Sequence, residues 1–476
     1  MFDLSNALFA YIVVGILILL GRYARQRIGW LKALYLPSSI VAGILALLLG
    51  PDVLGAIARA IEGTDSPLAN GLFPDTMRAV WGQSPGIFIN VVFAALFMGA
   101  AIPNPRDIWR KAAPQVAFGQ SLAWGQYVVG LLLVLLVLNP AFGIDPIAGA
   151  LIEIGFEGGH GTAAGMAGTF AELDFPAGSD LALGLATVGI ISGIIAGTLL
   201  ADWGRRQGHV SPKMYRDGDE EASAEVSSSE PRDIREERAR AMQDLLVDPL
   251  SLNLGLVGLA IAIGWLLLQL LIWIESVTWG QGGFQVFTYV PLFPMALIGG
   301  IIVQLTLLRL RLGALVVRSL MGNIAGVALD VTVVTALATI SLKVLGSNFF
   351  PFVILAVAGI AWNVLAFVFL APRLLPTYWF ERGLGDVGQS MGVTATGILL
   401  LRMVDPHNRS GAFESFAYKQ LFFEPIVGGG LFTAAAPALI FQFGAVRILI
   451  LAAVILAGWL IFGFVNFRKS GTSREG

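Results

Sequence analysis

Long apolar runs separated by short polar, basic or glycine-rich breaks dominate the chain. A helix needs about 20 apolar residues to cross the hydrocarbon core of a bilayer. Runs of that kind lie near 3–21, 33–50, 86–103, 114–138 and 180–203. After Trp203 the pattern stops: 205–244 is rich in Ser, Glu and Arg and nearly free of bulky apolar residues, which predicts a solvated linker, disordered in its acidic part. Apolar runs resume near 249–273, 287–308, 322–345, 351–373, 421–442 and 446–467, so five spans are predicted before the linker and six after it. Met1–Ala7 has no Lys or Arg and the first run continues to Gly21, so this segment reads as a retained helix, not a signal peptide.

Two segments break the pattern. Residues 145–172 and 384–405 are rich in Gly and Thr and too irregular for lipid-facing helices. Non-helical backbone survives at membrane depth only where protein or a water-filled cavity satisfies its N–H and C=O groups, so both segments predict re-entrant or broken helices lining a site. They also resemble each other: GFEGGHGTAAG at 155–165 has a partner in GDVGQSMGVTATG at 385–397. A weaker match joins YLPSSIVAGI at 35–44 to YVPLFPMALIGGI at 289–301. Five spans and an internal linker put the two halves into the membrane in opposite senses. The fold predicted is therefore an all-α membrane protein, a polytopic helical bundle of two inverted-topology repeats, each with a re-entrant Gly-rich loop. Its parts are an N-terminal repeat at 1–203, a cytoplasmic hydrophilic linker at 204–246, a C-terminal repeat at 247–445, and an extra helix and tail at 446–476.

Charge sets the orientation. The basic clusters at Arg22–Lys32, Arg106–Lys111, Arg205–Arg206, Arg309–Arg311 and Arg468–Lys469 all fall on one side if the spans alternate. Short basic loops stay in the cytoplasm. This predicts an N-terminus and a 51–85 loop outside, with the central linker and C-terminus in the cytoplasm of a cell whose inner (plasma) membrane holds the protein.

Composition agrees. Of the 476 residues 56% are hydrophobic and only 13% charged, about half the charge density of a soluble protein, so lipid must cover much of the surface. The absence of Cys excludes disulfides, thiolate metal sites and cysteine nucleophiles. A net charge of −2 without a basic soluble face gives no footing for nucleic acid.

Candidate chemistry concentrates in the two loops. Gly158, Gly159, His160, Gly161 and Thr162 offer backbone N–H groups, a hydroxyl and an imidazole suited to capturing a small polar solute or ion; alternatively the glycines only let helices pack closely. His160 stands among glycines at membrane depth, whereas His209 and His407 fall in polar loops. Gly388, Ser390, Gly392, Thr394 and Thr396 present hydroxyls and carbonyls that suit a hard cation such as Na+ or hold a carboxylate, unless the hydroxyls bond back to their own helix. Glu153, Glu157, Asp330, Asp386 and Glu424 lie in or beside apolar runs, where an ionised group costs about 3 kcal/mol to insert. They bind cations, relay protons, or pair with Arg318, Lys343 or Arg402; Arg402 is also the candidate to meet an anionic substrate. Trp30, Trp109, Trp203 and Trp379 near span ends predict interfacial belts.

These residues carry a resemblance. The Gly158–Thr162 stretch, GGHGT, resembles without change the loop that follows the fourth span of the glutamate:sodium symporter family. GRYARQRIGWLKALYLPSSIVAG near the N-terminus and EPIVGGG at 424–430 also resemble that family. The second loop departs from it: the family's His-Cys-Gly-Phe-Gly-Leu-Gly-Ala-Thr-Pro-Thr pattern stands opposite Asp386 through Thr396 here, keeping the glycines and Thr-x-Thr but not the His or Pro. Glu153, Glu157, Asp330 and Glu424 stand where the resemblance implies neutral residues, and the helix at 446–467 looks like an addition to the family's pattern. The resemblance implies Na+-coupled uptake of an amino acid, typically glutamate, by a homodimer whose two loops meet around the substrate and move together against a fixed scaffold.

No cofactor is implied beyond the coupling ion, Na+ or alternatively H+; the partners implied are lipid and a small-molecule substrate. The extra carboxylates keep another organic anion, or a neutral or cationic solute moved with a proton, as alternatives. A hydrolase using His160, Glu153 or Glu157 and Ser390 lacks any nucleophile motif, and a passive channel fits two Gly-rich loops less well than occlusion does.

Overall fold

The computed structural model describes residues 4–29, 31, 36–100, 105–210 and 248–467. Most of the expected 204–246 linker, the tail beyond 467 and Trp30 lie outside the described residues.

The described residues are helical throughout, with no strand. In chain order the helices are α1 Leu4–Arg27, α2 Ser38–Leu48, α3 Leu54–Glu62, α4 Asp75–Ala95, α5 Pro105–Leu133, α6 Leu151–Phe156, α7 Gly159–Gly165, α8 Ala167–Glu172 and α9 Ala177–Arg206. They continue as α10 Pro249–Val277, α11 Leu292–Arg309, α12 Arg318–Thr339, α13 Leu342–Ser347, α14 Phe349–Leu374, α15 Trp379–Val404, α16 Ala412–Phe423, α17 Leu431–Phe443 and α18 Ala445–Phe467. Among the described residues nine helices are long and apolar enough to cross a membrane. The chain is thus a polytopic helical membrane protein.

The helices differ from the apolar runs where polarity and backbone geometry intervene. The run at 33–50 yields only the 11-residue α2. The run at 86–103 belongs to α4, which begins at Asp75, inside the expected 51–85 loop. Its first turns are amphipathic: Val80, Trp81, Ser84 and Pro85 are buried while polar neighbours stay exposed, so a window averaging over both faces misses them. The same expected loop also holds α3. The run at 421–442 is divided between the end of α16 and α17, because Pro425 and the positive φ of Gly428 (72°) and Gly429 (101°) end one helix before the next begins.

Both Gly-rich segments are broken. The first comprises a 3₁₀ turn at Pro146–Ala150, opened by Asp145 Oδ1 accepting from the Ile147 N–H at 2.8 Å, followed by α6, a break at Glu157–Gly158, and α7 and α8. The second lies within α15, whose helix is interrupted at Gly392 (φ −153°, ψ 35°) and Val393 (φ 61°, ψ 175°).

The chain folds into two compact units, each drawn from both sequence halves. The first holds residues 1–99, 160–187 and 250–352; the second holds 100–159, 188–249 and 353–476. In the first unit α4 packs on α11 and α12, and α2 packs on α1 and α12. Ala10, Val14, Leu17, Ala42, Ala46, Phe73, Val80, Trp81, Val334 and Ala338 form one core there, and its alanines let the helices approach closely, which is an attraction available in lipid. In the second unit α5 is the central helix, contacted by α6, α15, α16 and α18. The added helix α18 therefore packs on α5, leaving Ile450, Val454, Ile461 and Val465 exposed to lipid. His209, expected in a polar loop, lies against the rings of Trp203 and Trp379 at about 5 Å, in the same unit.

Candidate functional site

The second unit carries a dense buried polar layer. Glu153, Glu157, Asp386 and Glu424 are all buried, and Lys419 is the only buried Lys or Arg among the described residues. Glu381 and Asp405 are buried in this unit as well, and so many acids cannot all be ionised without other compensation, since each buried charge carries a desolvation cost of several kcal/mol.

Each acid is compensated differently. Glu153 on α6 accepts at Oε2 from the Tyr127 hydroxyl (2.5 Å) and at Oε1 from the Gly428 N–H (2.8 Å) and the Thr433 hydroxyl (2.8 Å). Three donors stabilise an anionic carboxylate without a cation. Asp386 on α15 forms an ion pair with Lys419 on α16 at 3.0 Å, and the Gln115 amide donates to the same oxygen at 3.3 Å. Lys419 Nζ also donates to Gln389 Oε1 at 2.8 Å and lies over the rings of Phe423 (4.2 Å) and Phe416 (5.2 Å). Room for it is made on α5 by Gly119, where a side chain would press on the ammonium group. Glu424 Oε1 accepts from Thr394 Oγ1 at 3.1 Å. Glu157, at the break after α6, accepts one bond at Oε1, from Ser390 Oγ at 2.9 Å, and its buried Oε2 meets no donor.

The helix breaks shape this layer. A regular helix would bond the Ser390 carbonyl to an amide four residues on, which the Gly392–Val393 interruption prevents. The Gln126 side-chain amide on α5 takes its place, donating to the Ser390 carbonyl at 2.7 Å. Thr396 Oγ1 likewise donates to the Gly392 carbonyl at 2.6 Å, so this hydroxyl bonds back to its own helix. Gly159 has φ +69° and lies against Val393: a Cβ there would collide with Val393 Cγ1. The break after α6 and the break in α15 are therefore neighbours within one unit.

The GGHGT stretch is shared between units, with Gly158 and Gly159 in the second and His160 to Thr162 in the first. In the first unit His160 is buried and its Nε2 lies 2.9 Å from Thr187 Oγ1. The Thr187 hydroxyl also lies 3.1 Å from the Leu183 carbonyl, to which it donates. A Cβ at Gly161 would press on Ile89 Cδ1, and Thr162 Oγ1 is buried without a partner.

Of the expected residues, the second unit unites Gly158, Gly159, Glu153, Glu157, Asp386, Gly388, Ser390, Gly392, Thr394, Thr396 and Glu424. Asp330, half-buried on α12, belongs to the first unit. The basic partners proposed from sequence are elsewhere: Arg402 and Lys343 are exposed, and Arg318 donates to the carbonyls of Leu96 (2.7 Å) and Met98 (3.0 Å). The base that pairs with an acid is Lys419, which sequence reasoning missed together with Tyr127, Gln126, Gln389, Gln420 and Thr433. One signal was available for it, a lone charge beside Gln420 in the otherwise apolar and aromatic FAYKQLFF.

A model of the sodium/glutamate symporter family matches residues 91–408. A Haemophilus influenzae protein described as a sodium/glutamate symporter is 29% identical over 188 residues, 39% of this chain. That match spans only 41% of the relative's length. No solved structure matches the chain.

Proposed function

The chain belongs to the sodium/glutamate symporter family, and from that membership we propose that it is a secondary transporter carrying glutamate or a related small organic anion together with Na+ by alternating access. The observation that carries this reading is the meeting of two helix breaks, Gly159 against Val393, amid buried oxygen and amide groups in one unit. Interrupted helices expose backbone carbonyls and N–H groups, which hold small ions and substrate carboxylates where a continuous helix offers none. Oxygen donors of this kind suit Na+ as cargo.

The inverted repeat is part of the proposal. Its support is that α2 and α11, which share the weaker sequence match, lie in one unit, while the breaks at 157–158 and 392–393, which lie in the stronger match, are in the other. Each half then contributes equivalent elements to both units, and the two broken segments are re-entrant loops of opposite direction. The proposed placement is the inner membrane with the N-terminus outside and the linker in the cytoplasm, and the proposed assembly is a homodimer.

Radiolabelled L-glutamate uptake into proteoliposomes tests the reading, with an inward Na+ gradient set against an equal K+ gradient. The expected result is accumulation driven by Na+ alone and lost in Gly161→Val, whose side chain would collide with Ile89. Uptake that is equal in K+, or no uptake by folded protein, removes Na+–glutamate symport.

A further inference from the structure

We infer that Glu157 is a proton-binding site of the second unit, so that transport carries a proton-dependent step in addition to its cation coupling. The buried acids of this unit are unequally compensated. Lys419 is committed to Asp386 and Gln389, and Glu153 is held by three donors. Glu424 is 8% exposed and bonded to Thr394. Glu157 is 2% exposed, has one hydroxyl donor, and turns Oε2 into a buried space with no donor at all.

The charged groups around it pull in opposite directions, Lys419 against the neighbouring acids. Glu157 interacts electrostatically with Lys419 from α16, with Glu153 from α6 and with Glu424 beyond α16. Tyr127 on α5 is coupled to it as well. Asp386 on α15 absorbs the lysine charge, and half-buried Arg382 on the same helix acts on Asp386. The one buried cation thus acts on Asp386, Glu157 and Glu424, and of these Glu157 has the fewest other partners.

A proton answers this better than a metal ion. A hard cation draws several oxygen ligands at once. Among the described residues no three His, Asp or Glu side chains gather closely enough to hold one. A proton needs one oxygen: the O–H bond forms at Oε2 with a proton from the water phase and breaks when that proton returns to water. Glu157 follows directly on α6, two residues before Gly159 packs against Val393, and Ser390 approaches it from the helix that is broken two residues later. Its protonation state therefore acts on both breaks, neutralising the acid when they are closed together. The purpose of the site rests on the transporter reading, but its test does not.

Infrared difference spectroscopy of the purified full-length protein, titrated between about pH 5 and about pH 9, reads the carbonyl stretch of protonated carboxyl groups with no substrate present. The expected result is a carboxyl band at neutral pH that disappears as pH rises and is absent from Glu157→Gln. Ser390→Ala removes the donor that favours the ionised form, so the midpoint of the band is expected to rise by about one pH unit; this second variant decides the matter if Glu157→Gln fails to fold. Identical bands and midpoints in all folded proteins overturn the inference. So does a band that Na+ removes at constant pH, because a metal ion then competes for the carboxylate. Failure of glutamate uptake with these spectral shifts present removes the substrate and leaves the proton site.

Discussion

Lys419→Met is expected to destabilise the protein by about 3–5 kcal/mol, the usual result of deleting one partner of a buried ion pair. The variant would leave Asp386 fully buried with a single amide donor at 3.3 Å and one oxygen already without a partner. Gln389 would lose its 2.8 Å donor at the same time and retain only the Gln420 amide at Oε1. The double variant Lys419→Met/Asp386→Leu removes both charges and replaces them with apolar volume beside Phe416 and Phe423, so it should regain most of the loss. Thermal aggregation midpoints of detergent-purified protein compare the two. Equal destabilisation in single and double variants would show that the lysine is needed for its shape or its Gln389 bond, not for the charge of Asp386.

Gly159→Val should abolish transport while allowing membrane insertion. A residue with a branched side chain at φ +69° carries about 1–3 kcal/mol of backbone strain. Its side chain also enters the space of Val393. Each 1.4 kcal/mol is about tenfold in an equilibrium, so the closed pairing of the two breaks becomes at least about tenfold rarer. Val393 itself sits at φ 61°, a conformation that suits glycine. Gly159→Val/Val393→Gly therefore relieves the collision and the second strain together, and part of the activity should return. Na+-driven uptake normalised to protein in the liposome measures this. A double variant as inactive as the single one would mean that the positive φ at Gly159, not its contact with Val393, is what transport requires.

Much of the architecture was legible one segment at a time. Among the described residues nine long helices arise from runs of apolar residues, because the cost of placing a residue in lipid is set largely by that residue alone. Local chemistry likewise announces the helix break after Phe156, where three of four residues from 158 to 161 are glycine. The same local reading failed at α4, whose polar first turns have a buried face, and at the short α2. It also placed a single span across Pro425–Gly430, where the positive φ values of Gly428 and Gly429 separate two helices.

The extra carboxylates were visible as residues that need a reason, but their partners were not. Arg318, Lys343 and Arg402 were the candidate bases by hydropathy, yet all three are exposed and Arg318 bonds backbone carbonyls. The true partner, Lys419, lies 33 residues beyond Asp386, and Ser390 reaches Glu157 across 233 residues of chain. The amino-acid sequence by itself determined that this protein crosses a membrane many times, where its backbone is irregular, and to which family it belongs, because hydropathy, glycine geometry and a short motif such as Gly158–Thr162 are properties of neighbouring residues. Only the tertiary structure decided that the two breaks meet, that one buried lysine acts on Asp386, Glu157 and Glu424, and that of these Glu157 is left least compensated. Those are properties of distance in space, and the electrostatics of a buried layer depend on every charge within reach, whatever its place along the chain.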